Sequence, residues 1–260
     1  MNQAAQRFTR KQQNGMCALV RITGQDRIAA ALFSGAGCTI ATASGRGDMA
    51  VFSWAPGKTG IIRRHLRGGV MRRLLYDRYL LRNRPLREFE THQEVAARGV
   101  AAPLALGVRW ERRFLWYRGA LATELVAGAD LDAYLHDVTV SWDDKTAMLR
   151  KCGALVRHMH AQGVYHADLQ IKNIFIGSDG PVLLDFDSAR LRASLSRIAR
   201  ARNLLRLRRS FEKRGWPPGY FEFLAEGYGE LTPPRWLDTL YRIKGRLSSW
   251  LAHGRSNAEA

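Results

Sequence analysis

Apolar and polar positions are spaced differently in the two halves of the chain. Between residues 16 and 66, short stretches rich in β-forming residues are separated by glycines, as in MCALVRI, CTIATA, MAVFSW and GIIRRHL. This pattern predicts short antiparallel strands with turns at 35–37 and 45–47. PLREFETHQEVAARGV, opened by Pro85 and closed by Gly99, predicts one helix, and ALGVRWERRFLWYRGALATELV predicts a hairpin.

The second half of the chain has helical spacing. DDKTAMLRKCGALVRHMHAQG, residues 143–163, places apolar residues three and four positions apart and ends on Gly163, so it predicts a long helix. NIFIG and PVLLDFD predict two strands joined at Ser178-Asp179-Gly180. From Leu191 onward the sequence is basic and predicts helices.

These elements predict an α+β fold with two lobes and a cleft between them. We expect a small antiparallel β-rich lobe with one helix, followed by a larger helical lobe. The expected boundaries are a flexible N-terminus at 1–15, the first lobe at 16–125, the second at 126–235, and an amphipathic basic tail at 236–260.

The net charge of the chain indicates what kinds of molecule it binds. The 260 residues include 41 Lys and Arg against 23 Asp and Glu, a net charge of +18 at pH 7. Such a surface attracts polyanions, which include nucleic acid, anionic lipid and phosphorylated substrates.

The cysteines and the apolar runs indicate the cellular compartment of the protein. Cys17, Cys38 and Cys152 are odd in number and form no CxxC pair, which argues against a disulfide framework or a zinc site. No run approaches the roughly 18 apolar residues that span a bilayer, and the N-terminus has no secretory signal pattern. We therefore expect a cytosolic protein.

Three oxygen-bearing side chains carry the candidate chemistry. Asp168 follows the long helix, Asn173 comes before the predicted hairpin, and Asp185 lies at its far end. They stand among apolar residues with little nearby to neutralise them, although burying an unpaired carboxylate is costly. Because a hairpin returns its ends to one place, we expect the three to converge on a hard cation such as Mg²⁺.

This convergence is what phosphoryl transfer needs. One carboxylate would orient the attacking hydroxyl, and the Asn and second Asp would hold the metal on the nucleotide phosphates. Taken singly, Asp168 reads as a turn residue and Asp185 as a solvated strand end. The combined spacing favours the catalytic interpretation.

The same residues match a known family. HADLQIKN and LLDFD resemble the HxDxxxxN loop and the metal motif of protein kinases. More narrowly, the chain resembles the lipopolysaccharide kinases of protein-kinase-like fold, and most of all those that phosphorylate 3-deoxy-D-manno-octulosonic acid (Kdo) on a lipid A precursor. The resemblance runs from about Gly45 to Tyr228 and is carried by GRGDMAVF, RRHLRGGVMRRLLYDRY, RPLREF, GVAAPLALGV, YRGALATELVAG, HADLQIKNIFI, LLDFD and NLLRLRRSFEK.

The resemblance implies roles around an ATP molecule with Mg²⁺. Asp168 would be the catalytic base, with His166 as the residue that braces the catalytic loop. Asn173 and Asp185 would be the metal ligands.

The nucleotide phosphates and adenine would contact the first lobe. Gly45 and Gly47 match the turn over the phosphates, although GxG also suits an ordinary hairpin. Glu88 matches the helix carboxylate that pairs with a strand cation, with Glu90 as a substitute, or it is one more solvated charge. Glu124 falls where backbone groups hold adenine.

Three positions depart from the family pattern. The strand cation is normally Lys, whereas this chain has Arg63, or Arg64 if the register shifts; Arg can bridge phosphate and carboxylate. Gln170 replaces the usual Asn after the catalytic Asp, and Ser188 replaces the usual Arg after DFD. Both lie near the acceptor pocket, so they bear on the substrate more than on the reaction.

The basic runs suggest where the protein docks. Residues 63–84 and 190–214 are either solvated faces or a surface for anionic lipid and for a lipid A-like substrate. The tail helix, with Trp236 and Trp250 on its apolar side, suits either an interfacial membrane helix or packing on the second lobe. Nucleic acid is disfavoured because the aromatic residues are not interleaved with the Arg runs.

Together these patterns predict an ATP-dependent kinase of lipopolysaccharide core biosynthesis. The expected acceptor is lipid-linked Kdo, reached from the cytoplasmic face of the bacterial inner membrane. The alternatives are a kinase of the same fold acting on heptose, another small hydroxylated molecule or protein, and a nucleotide-binding pseudokinase scaffold.

Overall fold

The computed structural model describes residues 7–43, 47–64, 79–80, 83–113 and 116–229. The chain divides into two compact units, residues 1–127 and 128–260. The first is built on one antiparallel sheet and the second mostly on helices, so the predicted α+β class is confirmed.

The N-terminal unit contains eight strands and two helices among its described residues. The sheet order is β1-β2-β7-β8-β5-β4-β3, and β6 pairs with β8. The elements are β1 (Phe8–Gln13), β2 (Met16–Arg21), α1 (Gln25–Ser34), β3 (Cys38–Ala43), β4 (Gly47–Ala55), β5 (Lys58–Arg64), β6 (Tyr79–Leu80), α2 (Arg84–Ala97), β7 (Ala105–Arg113) and β8 (Trp116–Glu124).

Both faces of this sheet are covered. Side chains alternate across a strand, so Ala120 and Ala122 of β8 join the cluster that includes Ile28 of α1, while Leu121 joins the cluster that includes Phe89 of α2. The two helices therefore lie against opposite faces of the sheet.

Helix α1 was not predicted, because the segment was interpreted as strands and turns. Its spacing is helical, since Ile28, Ala31 and Leu32 are its buried residues. Gly24 and Gly35 adopt left-handed backbone at its two ends. The first unit therefore has two helices among its described residues where one was expected.

Strand β1 lies inside the segment expected to be a flexible N-terminus. It pairs with β2 from Phe8 opposite Arg21 to Gln13 opposite Met16. The Phe8 ring also packs edge-on against Phe89, with ring centroids 5.0 Å apart. Backbone pairing and this aromatic contact hold residues 8–13 on the sheet, although their polar sequence gives little sign of either.

The C-terminal unit is built around one long helix. Its elements are β9 (Gly128–Asp130), α3 (Leu131–His136), α4 (Trp142–Ala161), β10 (Val164–Tyr165), a 3-10 turn (Ile171–Asn173), β11 (Ile174–Gly177), β12 (Gly180–Leu183), β13 (Arg190–Leu191), α5 (Arg197–Glu212) and α6 (Pro218–Tyr228). The predicted long helix corresponds to α4 and the predicted hairpin to β11 and β12. In the part of the chain that the structure describes, no helix is long and apolar enough to cross a membrane.

Side-chain caps set where three of these helices begin. The Asp130, Ser141 and Ser196 side chains accept hydrogen bonds from the backbone N–H groups three residues on, at 3.0, 3.1 and 3.3 Å. Such a cap satisfies one of the otherwise unpaired donors of a first helical turn.

Candidate active site

The β11–β12 hairpin brings Asn173 and Asp185 together. Ile174 pairs with Leu183 in the ladder, and the Leu184 N–H donates to the Asn173 carbonyl at 2.9 Å. Asp185 follows directly, so it lies beside Asn173 as the hairpin prediction required.

Asp185 has a backbone conformation that is uncommon for a residue with a side chain. Its φ is 66°, in the left-handed region. The Asp187 N–H donates to Asp185 Oδ1 at 3.4 Å, a local contact of the kind that lets Asp adopt this region. Unfavourable backbone of this kind persists where the surroundings impose it, and it is frequent at functional sites.

Asn173 is oriented by the catalytic loop. Its Nδ2 donates to the Asp168 carbonyl at 2.8 Å and lies 3.5 Å from Asp168 Oδ2. Because a carbonyl can only accept, this contact fixes which end of the amide is nitrogen. The Asn173 amide oxygen is therefore turned away from Asp168.

His166 braces the loop from inside the protein. Its side chain is 1% exposed, and Nε2 lies 2.9 Å from the Leu184 carbonyl while Nδ1 accepts from the Asp168 N–H at 3.3 Å. Burial lowers the pKa of His166, and the Leu184 hydrogen bond and the nearby Asp185 and Asp168 carboxylates oppose that shift. This buried ring links the Asp168 and Asp185 segments, as expected of the residue that braces the catalytic loop.

A second buried network holds the main chain of His166. The Asn203 side chain donates to the His166 carbonyl at 2.8 Å and accepts from the His166 N–H at 3.2 Å. Asn203 Oδ1 also lies 3.1 Å from His160 Nε2, and His160 Nδ1 lies 2.9 Å from the Tyr228 hydroxyl. Since the Asn203 oxygen can only accept, His160 donates from Nε2 and accepts the Tyr228 proton at Nδ1.

The protonation state of His160 follows from its burial. Burial lowers the pKa of His160 to about 4, against the opposing effect of the Asn203 hydrogen bond. The network also requires a neutral ring, because His160 Nδ1 must accept the hydrogen bond from the Tyr228 hydroxyl. The helices α4, α5 and α6 are thus tied to the catalytic loop by neutral hydrogen bonds.

The Asp168 carboxylate is more exposed than the sequence suggested, and it has polar neighbours. Its side chain is 46% exposed, with Arg206 Nη1 3.6 Å from Oδ1. Gln170 Nε2 donates to the same oxygen at 2.6 Å. The expectation of a buried carboxylate with little to neutralise it is therefore wrong for Asp168, because α5 supplies a cation from a distant part of the sequence.

The donor set fits a hard cation. Asn173 turns an amide oxygen away from the loop, and the Asp185 carboxylate lies next to it along the hairpin. Mg²⁺ prefers oxygen ligands and usually takes only one or two from protein carboxylates, with phosphates and waters completing its shell. Among the described residues no group of three or more His, Cys, Asp or Glu side chains is placed to hold a metal ion.

In the N-terminal unit, Arg63 lies on β5 and Glu88 on α2. The charge of Arg63 helps to lower the pKa of His92, behind the larger effect of burial. His92 is one turn after Glu88 on α2, and both side chains are buried, 4% and 6% exposed. Glu90, by contrast, is exposed.

The other predicted nucleotide contacts are described less completely. Glu124 ends β8, where its N–H donates to the Leu104 carbonyl at 2.8 Å. Gly47 begins β4 opposite Ala43. Gly45 lies outside the described residues, as do the Arg64 side chain, most of the 63–84 basic run and the 236–260 tail.

Sequence reasoning missed three residues of α5. Asn203, Arg206 and Ser210 contact His166, Asp168 and Ile171 respectively. From the sequence, this segment is predicted only to be helical and basic. The available signal was an Asn and a Ser at positions that share the buried side of the helix with Leu204, Leu207 and Phe211.

Comparison with known proteins gives the family. The sequence profile described as Lipopolysaccharide kinase (Kdo/WaaP) family matches residues 38–228. The chain belongs to this family.

Individual relatives agree with this assignment. A 3-deoxy-D-manno-octulosonic acid kinase of Xanthomonas axonopodis pv. citri (strain 306) is 36% identical over 176 residues, 66% of this chain and 68% of the relative. One from Xylella fastidiosa (strain 9a5c) is 33% identical over 174 residues, 65% of this chain and 68% of the relative. One from Vibrio vulnificus (strain YJ016) is 30% identical over 202 residues, 73% of this chain and 82% of the relative.

A solved structure supports the fold. WaaP in complex with acyl carrier protein superposes with a TM-score of 0.52 at 19% identity, covering 90% of this chain and 93% of that chain. The predicted kinase-like fold is therefore confirmed. Membership of the lipopolysaccharide kinase family makes the chain a kinase of lipopolysaccharide core biosynthesis, a phosphotransferase whose acceptor is a hydroxyl group.

Proposed function

We propose that this lipopolysaccharide kinase transfers the γ-phosphoryl group of ATP to a hydroxyl of Kdo in a lipid A-linked acceptor. The observation that carries the proposal is the convergence of Asp168, Asn173 and Asp185 at the mouth of the β11–β12 hairpin. The named activity of its relatives supports Kdo as the acceptor sugar.

Asp168 is proposed to do the chemistry at the acceptor. Its carboxylate orients the acceptor hydroxyl and accepts its proton as the hydroxyl oxygen bonds to the γ-phosphorus. The bond from that phosphorus to the β–γ bridging oxygen breaks, and ADP leaves with the electron pair. His166 and Asn203 hold the Asp168 loop in place through buried hydrogen bonds.

Asn173 and Asp185 are proposed to hold Mg²⁺ on the nucleotide phosphates. When bound, the cation neutralises charge that develops on the phosphoryl oxygens. Gln170 and Arg206 keep one oxygen of Asp168 on the side away from Asn173.

The N-terminal unit is proposed to bind the rest of the nucleotide. Arg63 and Glu88 would contact and order the phosphates, with Gly45 and Gly47 in the turn that covers them. Backbone groups around Glu124 would bind adenine, other than the N–H groups of Glu124 and Leu125, which donate to the Leu104 and Thr59 carbonyls.

The anionic surface of the cytoplasmic face of the inner membrane is proposed as the place of action. The support is the net charge of +18 and an acceptor that is itself a lipid. Peripheral binding would bring the active site to a substrate that remains in the bilayer.

Mass spectrometry of lipid A–core material tests the reaction in cells. Cells with the wild-type chain should carry one more phosphate on Kdo than cells with Asp168→Ala. An identical phosphate count on Kdo in the two strains would remove the substrate assignment.

Heptose is the second candidate acceptor, because two positions near the acceptor depart from the family pattern. Gln170 contacts Asp168 directly, and Ser188 is exposed two residues after Phe186. Purified protein assayed in parallel with Kdo-linked and heptose-linked acceptors separates the two, and phosphate on heptose alone would favour this second acceptor.

A further inference from the structure

Helix α5 is fixed to the catalytic loop at two points. Asn203 pairs with the main chain of His166 at 2.8 and 3.2 Å, and Ser210 Oγ accepts from the Ile171 N–H at 2.9 Å. Asn203 and Ser210 are both buried. Arg206 lies between them, three residues from one and four from the other, so all three residues share one side of the helix and the Arg206 backbone is held beside the loop.

Arg206 contacts the Asp168 carboxylate and still has N–H groups that could donate to a ligand. Nη1 is 3.6 Å from Asp168 Oδ1, and the side chain is 42% exposed. Its Nε is buried and has no hydrogen-bond partner among the described residues. Ion pairs exposed to this degree contribute little to stability, so folding alone does not account for an arginine held here.

The two oxygens of Asp168 face different neighbours. Oδ2 lies toward Asn173, the side proposed for the cation and nucleotide. Oδ1 lies toward Gln170 and Arg206. An acceptor that approaches Asp168 from the side away from the nucleotide therefore meets Gln170 and Arg206.

We infer that Arg206 and Gln170 form the acceptor subsite and that Arg206 binds a carboxylate of the acceptor sugar. This inference rests on the proposed function, since an octulosonic acid carries a carboxylate. A guanidinium presents a planar set of donors that matches a carboxylate, and five donors allow Arg206 to keep Asp168 while binding it. Held in this way, the sugar places a neighbouring hydroxyl against Asp168.

Steady-state kinetics with two acceptors tests the assignment. The acceptors are a Kdo-linked lipid A precursor and the same molecule with the Kdo carboxylate converted to its methyl ester. Wild-type enzyme should prefer the free acid by on the order of tenfold or more in kcat/KM, the effect of a charge-assisted hydrogen bond. Arg206→Gln should reduce that preference to near one by raising KM for the acid, with KM for ATP unchanged.

Two further variants separate recognition from folding. Arg206→Lys should restore part of the preference for the acid, because it keeps the charge without the planar fork. Lys151→Gln removes the same charge from an exposed site on α4 and should behave as wild type. The ratio of acid to ester within one variant does not depend on how much of that protein is folded.

The outcomes distinguish this inference from the proposed function. An Arg206→Gln enzyme that keeps the wild-type ratio of acid to ester would overturn the inference while leaving the kinase assignment in place. A wild-type enzyme that phosphorylates neither acceptor would remove the proposed function, and the inference with it.

Discussion

Asn203 shows how a single buried amide can control a catalytic loop. It pairs with both the N–H and the carbonyl of His166, makes one further contact with His160, and is fully buried. Because the amide holds the His166 main chain at both its N–H and its carbonyl, it sets the position of the loop that carries Asp168.

We predict that Asn203→Ala loses both stability and turnover. The buried His166 N–H would lose its partner, while the His166 carbonyl would keep the hydrogen bond from the Leu169 N–H at 3.3 Å, so the change should cost about 1–3 kcal/mol in the free energy of unfolding. Displacement of Asp168 should lower kcat more than it raises KM for either substrate. Chemical denaturation and steady-state kinetics measure the two effects, with Ser194→Ala, an exposed site in the same unit, as the control. Wild-type kcat in Asn203→Ala would contradict a positioning role.

A second residue-scale prediction concerns pH. Burial lowers the pKa of His160 from 6.5 to about 4, so the unfolded chain binds a proton here more readily than the folded chain between those values. Stability should therefore fall as pH drops from 6.5 toward 4, by about 3 kcal/mol from this group.

Replacing His160 isolates this contribution. His160→Gln cannot titrate in this range, so its free energy of unfolding should change less between pH 7 and pH 4.5 than that of the wild type. Urea denaturation at the two pH values gives the difference. Equal losses in both proteins would show that His160 does not contribute to acid sensitivity.

Some of the site residues can be predicted from the local sequence around the hairpin, and others cannot. Asp168, Asn173 and Asp185 fall within one hairpin and its flanks, so strand pairing alone predicts that they meet. Arg206 and Asn203 come from a helix some 40 residues farther along. Their contacts depend on how α5 packs against the catalytic loop. The spacing of apolar residues predicts which side of a helix is buried, but not which residue it will contact.

At the scale of elements, α4 and α6 make an unusually close crossing. A methyl group at Gly153 would strike the backbone of Leu224 and Tyr228, and one at Gly227 would strike the backbone of Arg150. The crossing also places Tyr228 against His160. Glycines therefore set the separation that the buried network requires.

Gly153→Ala is predicted to destabilise the protein by about 2 kcal/mol or more, because backbone atoms cannot move aside as a side chain can. Gly219→Ala is the matched control: it lies on α6 with nothing near its added methyl, and it should be neutral or slightly stabilising. Thermal denaturation compares the two. Equal melting temperatures for both variants would contradict the close-packing explanation.

Helices could be predicted where the spacing of apolar residues agreed with the residues that begin or end a helix. Helices α2 and α4 combine apolar periodicity with terminal signals in Pro85 and Gly163, and both were predicted. Helix α1 has the periodicity, but its ends are glycines that also mark turns between strands. The spacing of Ile28, Ala31 and Leu32 is the signal that identifies this helix.

At the scale of the whole molecule, the excess of positive charge should direct it to anionic bilayers. We predict co-sedimentation with vesicles containing phosphatidylglycerol and little with neutral phosphatidylcholine vesicles. Binding should weaken as salt is raised, because screening shortens the reach of these charges.

Charge reversal at two exposed positions tests the part played by α5. Arg197→Glu combined with Lys213→Glu should weaken binding to the anionic vesicles by roughly tenfold or more. Similar binding of wild type to both kinds of vesicle, or no effect of salt, would show that charge does not direct the protein to membranes.

The most direct test of the central claim is transfer of the labelled γ-phosphoryl group of ATP to a Kdo-linked lipid A precursor. Wild-type enzyme should label the Kdo residue, and Asp168→Asn should reduce the rate at least a hundredfold with an unchanged melting temperature. Transfer by Asp168→Asn at the wild-type rate would show that the chemistry does not depend on this carboxylate.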